Sequence, residues 1–424
     1  MEILKYGSTG YLVELVQSVL KNLNIYTGNI DGILGLQTQS AVINFQKQNN
    51  LLVDGIIGQN TWDLLYPYIY GFRKYKIQKG DTLYNISMSN NITVNQLLFA
   101  NPNINPDNLS IGSNLTIPFG NIVPTDISYV YNILEMNIYS LKKLYPFIFV
   151  GSIGKSVMGK EIPYIRIGKG RKEIFYSAAI HANEWITSVV LMKFIEDFSK
   201  SYVNNETLFD KNVREIYENT TIYIVPMINP DGVDLVNNNI NKNSSAFKNA
   251  EIIANNYPDI PFPNGWKANI LGVDLNLQFP ANWEQARQIN FEQGYTKPAP
   301  RQYVGIGPLT QIEAINLYNF TLMHKFRLVL SYHTQGEVIY WQYLDYVIPD
   351  AEEIGNEFAS ASGYTLSQTP YESSFAGYKD WFIEKYRRPG YTIEVGSGTN
   401  PLPISQFYEI YSKNIGILIL GAIL

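Results

Sequence analysis

Apolar residues recur at helical spacing near the start of the chain: Leu12, Leu15, Val16, Val19 and Leu20 share one face, as do Ala41, Val42 and Phe45. The stretch Asp31-Gly32-Ile33-Leu34-Gly35 with Thr38 returns as Asp54-Gly55-Ile56-Ile57-Gly58 with Thr61, each a glycine turn feeding a helix. Residues 1–70 therefore predict three small helices around one core. From Tyr75 the order changes to a strand at 75–77, a helix opened by Gly80-Asp81-Thr82-Leu83, a second helix from Val94 to Ala100, a break at Asn101-Pro102 and a closing strand at 115–118. That unit fills 74–120. A short polar joint at 124–128 follows. Beyond it, strand-like segments at 173–180, 221–228, 328–332 and 391–395 alternate with helical patterns after Trp185, Thr310 and Pro349. The alternation predicts an α/β domain over 125–424, with a mixed sheet flanked by helices. In such sheets ligands sit beyond the carboxyl ends of the strands, which says where to look for chemistry.

A chain of 424 residues has room for several cores, and 46% apolar against 16% charged residues is the balance of a folded protein. A net charge of -5 without any Lys/Arg-rich run argues against nucleic acid as a partner. With no cysteine, disulfides, thiolate metal sites and cysteine nucleophiles are excluded, so a metal would have to be held by His and carboxylate. No apolar run approaches the ~18 residues of a membrane span, and the first residues lack a basic segment followed by an apolar stretch. The expectation is a protein without membrane insertion or secretory signal. The sequence carries no sign of oligomeric state.

Only three histidines exist, His181, His324 and His333, and two of them fall at predicted strand ends. The strand ending at Ile180 runs into His181-Ala182-Asn183-Glu184, which places a His and a Glu on one short turn. The strand at 328–332 ends in His333, and the strand at 391–393 leads to Glu394. A His-x-x-Glu pair alone is a weak signal. Four such groups at one sheet edge are another matter: two imidazoles and a carboxylate with an open fourth position are a common catalytic zinc set. Glu394 then falls where a base would stand, the alternative being a strand-end ion pair with Arg387 or Arg388. His324 reads as a surface or helix-end residue.

These motifs carry three resemblances. Gly7, Gly10, the two Asp-Gly turns, Phe45-Gln46 and Thr61-Trp62 resemble the helical peptidoglycan-binding domain of wall hydrolases. The second unit resembles a LysM domain, which implies binding to N-acetylglucosamine-containing glycan. His181-x-x-Glu184, Asn229-Pro230-Asp231-Gly232, Gly272-Val273-Asp274-Leu275-Asn276, His333 and Thr392-x-Glu394 follow the order of the zinc carboxypeptidases of the carboxypeptidase A type. That resemblance implies an eight-stranded mixed sheet, one zinc ion per chain on His181, Glu184 and His333, and Glu394 as general base. It also implies Lys267 at the position of an oxyanion-stabilising arginine, and Asn276, Tyr371 and Asn183 in contact with substrate. One departure matters. Family carboxypeptidases place an arginine after the motif's Asn to grip a terminal carboxylate, but this chain has Leu277. Gln278-Phe279-Pro280-Ala281-Asn282-Trp283 and the run from His333 to Glu337 resemble the bacterial branch that cuts between γ-D-glutamate and meso-diaminopimelate. The expected partners are peptidoglycan glycan and stem peptides, and the expected setting is the cytoplasm of a sporulating bacterial cell or the spore or cell wall. The alternatives are a carboxypeptidase trimming C-termini and a catalytically silent wall-binding protein.

Overall fold

The computed structural model describes residues 2–424 and divides into two compact units, one holding everything up to Phe147 with Ser199–Asn204, the other Ile148–Phe198 with Asn205–Leu424.

The first unit opens with helices Tyr11–Asn22, Leu36–Gln48 and Gln59–Tyr70, as the apolar spacing predicts. The repeat proves deeper than its glycine turns, because each copy encloses a buried glutamine. The Gln17 amide donates to Asp31 Oδ1 (2.7 Å) and Thr38 Oγ1 (3.0 Å), and its carbonyl accepts from the N–H groups of Asp31 and Gly32 at 3.1 and 2.9 Å. Gln46 repeats the arrangement with Asp54, Thr61 and the N–H groups of Asp54 and Gly55. The turns at Gly32 and Gly55 have φ of 68° and 69°, which favours glycine and points successive N–H groups at the amide. An amide side chain suits this place because it both donates and accepts.

Next come antiparallel strands Phe72–Lys76 and Asn114–Pro118 enclosing helices Leu83–Ser89 and Val94–Ala100. Thr82 caps the first helix and Thr93 with Gln96 forms a capping box on the second. Asn101, read as a break, ties the second helix to the closing strand: its Nδ2 donates to Leu97 O and Thr116 O, and its Oδ1 accepts from Thr116 N. The polar joint is anchored. Ser128 N donates to Glu14 at 2.7 Å, and Ser18 Oγ lies 2.9 Å from both Asp126 oxygens. These bonds, with Asn137 of helix Tyr131–Leu144 donating to Ile122 O, group residues through 147 with the front modules, whereas sequence reading starts the last domain at 125.

The second unit holds an eight-stranded sheet: β1 (Phe149–Lys155), β2 (Glu161–Gly168), β3 (Lys172–Ala178), β4 (Thr220–Val225), β5 (Leu328–His333), β6 (Val338–Tyr340), β7 (Thr365–Ser367) and β8 (Gly390–Glu394). Their order is β7-β6-β8-β5-β3-β4-β2-β1. The inner strands β4, β3, β5 and β8 are parallel, while β1, β2 and β6 pair antiparallel with their neighbours β2, β4 and β8. β4, β5 and most of β8 are buried throughout, the expected state of parallel strands covered on both faces. Helices Ile186–Asn204, Ile312–Leu322 and Ala351–Ser362 occupy the three expected helical segments. Among the described residues, no helix is long and apolar enough to cross a membrane.

Candidate metal centre and active-site cleft

The carboxyl ends of β3, β5 and β8 meet at one edge, and all four predicted groups converge there. After β3 the chain turns through Ala179, a non-glycine residue with φ of 48°, into a short 3-10 turn that carries Ala182–Glu184. Thr187 holds this bend by accepting from Ala179 N (3.1 Å) and donating to Glu184 O (2.6 Å). Beneath it lies the Asn229-Pro230-Asp231-Gly232 motif, whose role is scaffolding. Asn229 Nδ2 donates to Ile180 O and Ala268 O, and a Cβ at Gly232 would sit 2.7 Å from the Ala182 side chain. Ala182 N in turn donates to Lys267 O. His333 and Glu394 are register partners on the neighbouring strands β5 and β8.

Side-chain geometry then closes the set. His181 Nδ1 lies 3.0 Å from Glu184 Oε1, His333 Nδ1 lies 3.0 Å from Glu184 Oε2, and the two Nδ1 atoms are 3.2 Å apart. One donor atom from each of the three residues falls within 4.8 Å of the others. His181 Nε2 faces Asp274 Oδ1 at 3.1 Å, so that in the neutral ring this carboxylate holds the proton on Nε2 and the Nδ1 lone pair is the one turned toward a cation. Burial disfavours the His181 imidazolium, but Glu184 and Asp274 outweigh it and push its pKa up to about 10. Such a field favours a positive charge at this spot, and the donor set fits zinc, which takes imidazole and carboxylate in catalytic sites with a free position.

The groups open onto a cleft of about 560 Å³ lined by His181, His333, Lys267, Asn276, Leu277 and Glu394, among others. Desolvation raises the Glu394 carboxyl above its ordinary 4.5, an effect that His333 offsets only in part. Neither candidate arginine pairs with Glu394: Arg387 stacks 3.6 Å over the Tyr346 ring and Arg388 donates to Phe326 O. Lys267 Nζ contacts Glu184 Oε1 at 3.0 Å. Asn276 accepts from Tyr378 N at 3.0 Å. His324 stands at a helix end as expected, packed among Tyr223, Phe320 and Phe326 and 3.3 Å from Glu173.

The two remaining expected substrate contacts differ. Tyr371 is 64% exposed and packs edge-on against Phe375, on a segment whose Pro370, Glu372, Ser373 and Phe375 line the cleft. Asn183 is buried and turned inward, donating to Asn264 O at 3.1 Å, because the 3-10 turn sends its side chain away from the neighbouring ligands. Sequence reasoning passed over Asp274, visible within its motif but given no role, and Arg301, which no motif marks.

Comparison with known proteins agrees with this geometry. Residues 134–415 match the zinc carboxypeptidase family, 9–65 the putative peptidoglycan binding domain and 75–118 the LysM domain. Gamma-D-glutamyl-L-diamino acid endopeptidase 1 of Lysinibacillus sphaericus is 46% identical over 69% of this chain and 72% of its own length. The uncharacterized protein YqgT of Bacillus subtilis (strain 168) is 37% identical over 67% of this chain and 74% of its own. Carboxypeptidase A from Helicoverpa armigera shares the fold with a TM-score of 0.53 at 16% identity, covering 92% of this chain and 95% of that one. The chain belongs to the zinc carboxypeptidase family.

Proposed function

We propose that this protein is a zinc metallopeptidase hydrolysing the amide between the γ-carboxyl of D-glutamate and the diamino acid in peptidoglycan stems. The observation that carries the reading is the convergence of His181, Glu184 and His333 within hydrogen-bond distance of one another beside Glu394. In this reading the three residues hold one zinc ion per chain. Zinc bound there supplies a Lewis acid that polarises the scissile carbonyl and brings the pKa of water toward about 7. The Glu394 carboxylate takes a proton from water as its oxygen joins the carbonyl carbon, then delivers it to the amine nitrogen as the C–N bond breaks. Lys267 offers its ammonium to the developing oxyanion, as a point charge rather than an arginine fork. Asn276 lines the cleft and contacts substrate, and Tyr371 and Asn183 take the substrate-contact roles the family resemblance gives them when the loop and turn that carry them move on binding.

Substrate choice rests on the relative from Lysinibacillus sphaericus and on Leu277. Without a planar two-pronged donor after Asn276, grip on a free C-terminus weakens by about 2–5 kcal/mol, which favours internal cleavage over carboxypeptidase action. The front modules, 1–70 and 74–120, would bind wall glycan through N-acetylglucosamine and raise the local concentration of stems for the domain at 125–424. The setting we infer is the wall or spore envelope of a bacterium, including sporulating cells.

Mass spectrometry of products from a defined tripeptide and pentapeptide stem tests the proposal. Release of the γ-glutamyl fragment intact is expected. Sequential loss of C-terminal residues would instead favour a carboxypeptidase, and equal inactivity of the parent and Glu394→Gln would leave a silent wall-binding protein.

A further inference from the structure

We propose that Arg301 is the receptor for the free α-carboxylate of the γ-linked glutamyl residue, and so the residue that tells a γ-glutamyl stem from an ordinary peptide or an amidated stem. The inference rests on the proposed function and names the recognition element of that cleft.

Arg301 lines the same cleft as His181, His333 and Glu394. Every other basic side chain on that wall already has an acid: Lys267 contacts Glu184 at 3.0 Å, Lys379 contacts Asp380 at 2.6 Å, and His181 contacts both Glu184 and Asp274. Arg301 alone makes no ion pair among the described residues. One guanidinium nitrogen, Nη2, donates to Gly265 O at 3.2 Å, while the buried Nε has no partner. A desolvated guanidinium N–H without an acceptor is costly and rare in a folded protein, and an anion arriving in the cleft would satisfy it. The guanidinium plane also suits a carboxylate, which it can meet with two parallel N–H donors.

Its backbone is fixed from both sides to the catalytic strip. Pro300 O accepts from Lys267 N (2.8 Å) and Ala268 N (2.9 Å), and Gln302 N donates to Asp274 Oδ2 at 3.2 Å. Gln302 holds φ of 63°, a conformation a non-glycine residue seldom adopts, in making that bond. Arg301 is thus set between the residue proposed to face the oxyanion and the residue that orients His181. A γ-glutamyl donor carries its α-carboxylate on a short carbon chain from the scissile carbonyl, within reach of a cation seated beside the oxyanion group. In an ordinary α-linked peptide the α-carboxyl is itself the scissile amide, so no α-carboxylate remains to meet the guanidinium.

The test uses the full chain and three synthetic stems: D-glutamyl with a free α-carboxylate, its α-carboxamide counterpart, and a stem amidated instead on the diamino acid. The wild type is expected to prefer the free α-carboxylate over the α-carboxamide by about a hundredfold in kcat/KM, mostly through KM. Arg301→Gln should erase that preference and Arg301→Lys restore part of it. The wild-type comparison needs no variant, so a poorly folded substitution does not blunt it. Equal cleavage of the first two stems by the wild type overturns the assignment while leaving the proposed function standing. So does an Arg301→Gln variant whose loss appears only between the first and third stems. A wild type that cuts none of the γ-linked stems overturns both.

Discussion

His181 Nε2 and Asp274 Oδ1 lie 3.1 Å apart, and this contact decides which imidazole nitrogen faces Glu184 and His333. The carboxylate is itself held, by Asn276 N on one oxygen and Gln302 N on the other. Removing it frees the ring to rotate and lowers its basicity. Asp274→Ala should therefore weaken zinc binding by roughly 10–100-fold, measured by competition with a chelator of known affinity. Unchanged affinity would assign Asp274 to packing alone.

Glu394 differs in kind, because it lines the cleft without joining the three-residue cluster. Glu394→Gln keeps the shape and removes the proton acceptor. Turnover of a defined stem should fall by about 10²–10⁴-fold while zinc content by metal analysis stays at the parent level. A variant that lost its metal as well would make Glu394 part of the binding set.

How much of this is legible in the sequence depends on the range of the forces involved. His181, His333 and Glu394 are readable because parallel strands put their carboxyl ends on one edge, and a strand end is marked locally by its apolar run. Gln17 and Gln46 are not readable as core residues: a glutamine on an apolar helix face looks like a lapse in the pattern until the Asp-Gly turn folds over it. Arg301 is harder still. Its significance lies in the acid it lacks, and in bonds that its neighbours make with the Lys267 backbone N–H and the Asp274 carboxylate, both distant in the chain. Asn183 misleads for the opposite reason: it sits between two ligands in sequence, yet a tight turn sends adjacent side chains in different directions.

The field on His181 makes metal binding pH-dependent in a definite direction. In the metal-free protein its pKa is about 10, with burial opposing the charge and Glu184 and Asp274 more than compensating. Zinc needs the neutral ring, so below that pKa binding must expel a proton. Apparent zinc affinity should rise about tenfold per pH unit through neutrality and level off near pH 10, with about one proton released per zinc at pH 7–8. Isothermal titration in buffers of different ionisation enthalpy reads the proton count. A count of zero would mean that His181 is already neutral.

The repeated glutamine makes a prediction for the front unit. Truncating Gln17 removes the acceptor for the N–H groups of Asp31 and Gly32 and the donor to Asp31 and Thr38, in a place closed to water. Leaving such groups buried and unpaired costs about 2–4 kcal/mol in total, more than one ordinary hydrogen bond contributes, so Gln17→Ala should loosen the turn rather than merely weaken it. Gln46→Ala should act alike on the second turn, through the N–H groups of Asp54 and Gly55. Hydrogen exchange resolves the effect by position: protection at Gly32 should fall in the first variant and at Gly55 in the second, each leaving the other turn closer to the parent. Cleavage of a small soluble stem should persist in both, since neither glutamine lines the cleft, whereas retention on insoluble wall should drop. Gly32 exchanging as slowly in Gln17→Ala as in the parent would show that the turn stands without its amide.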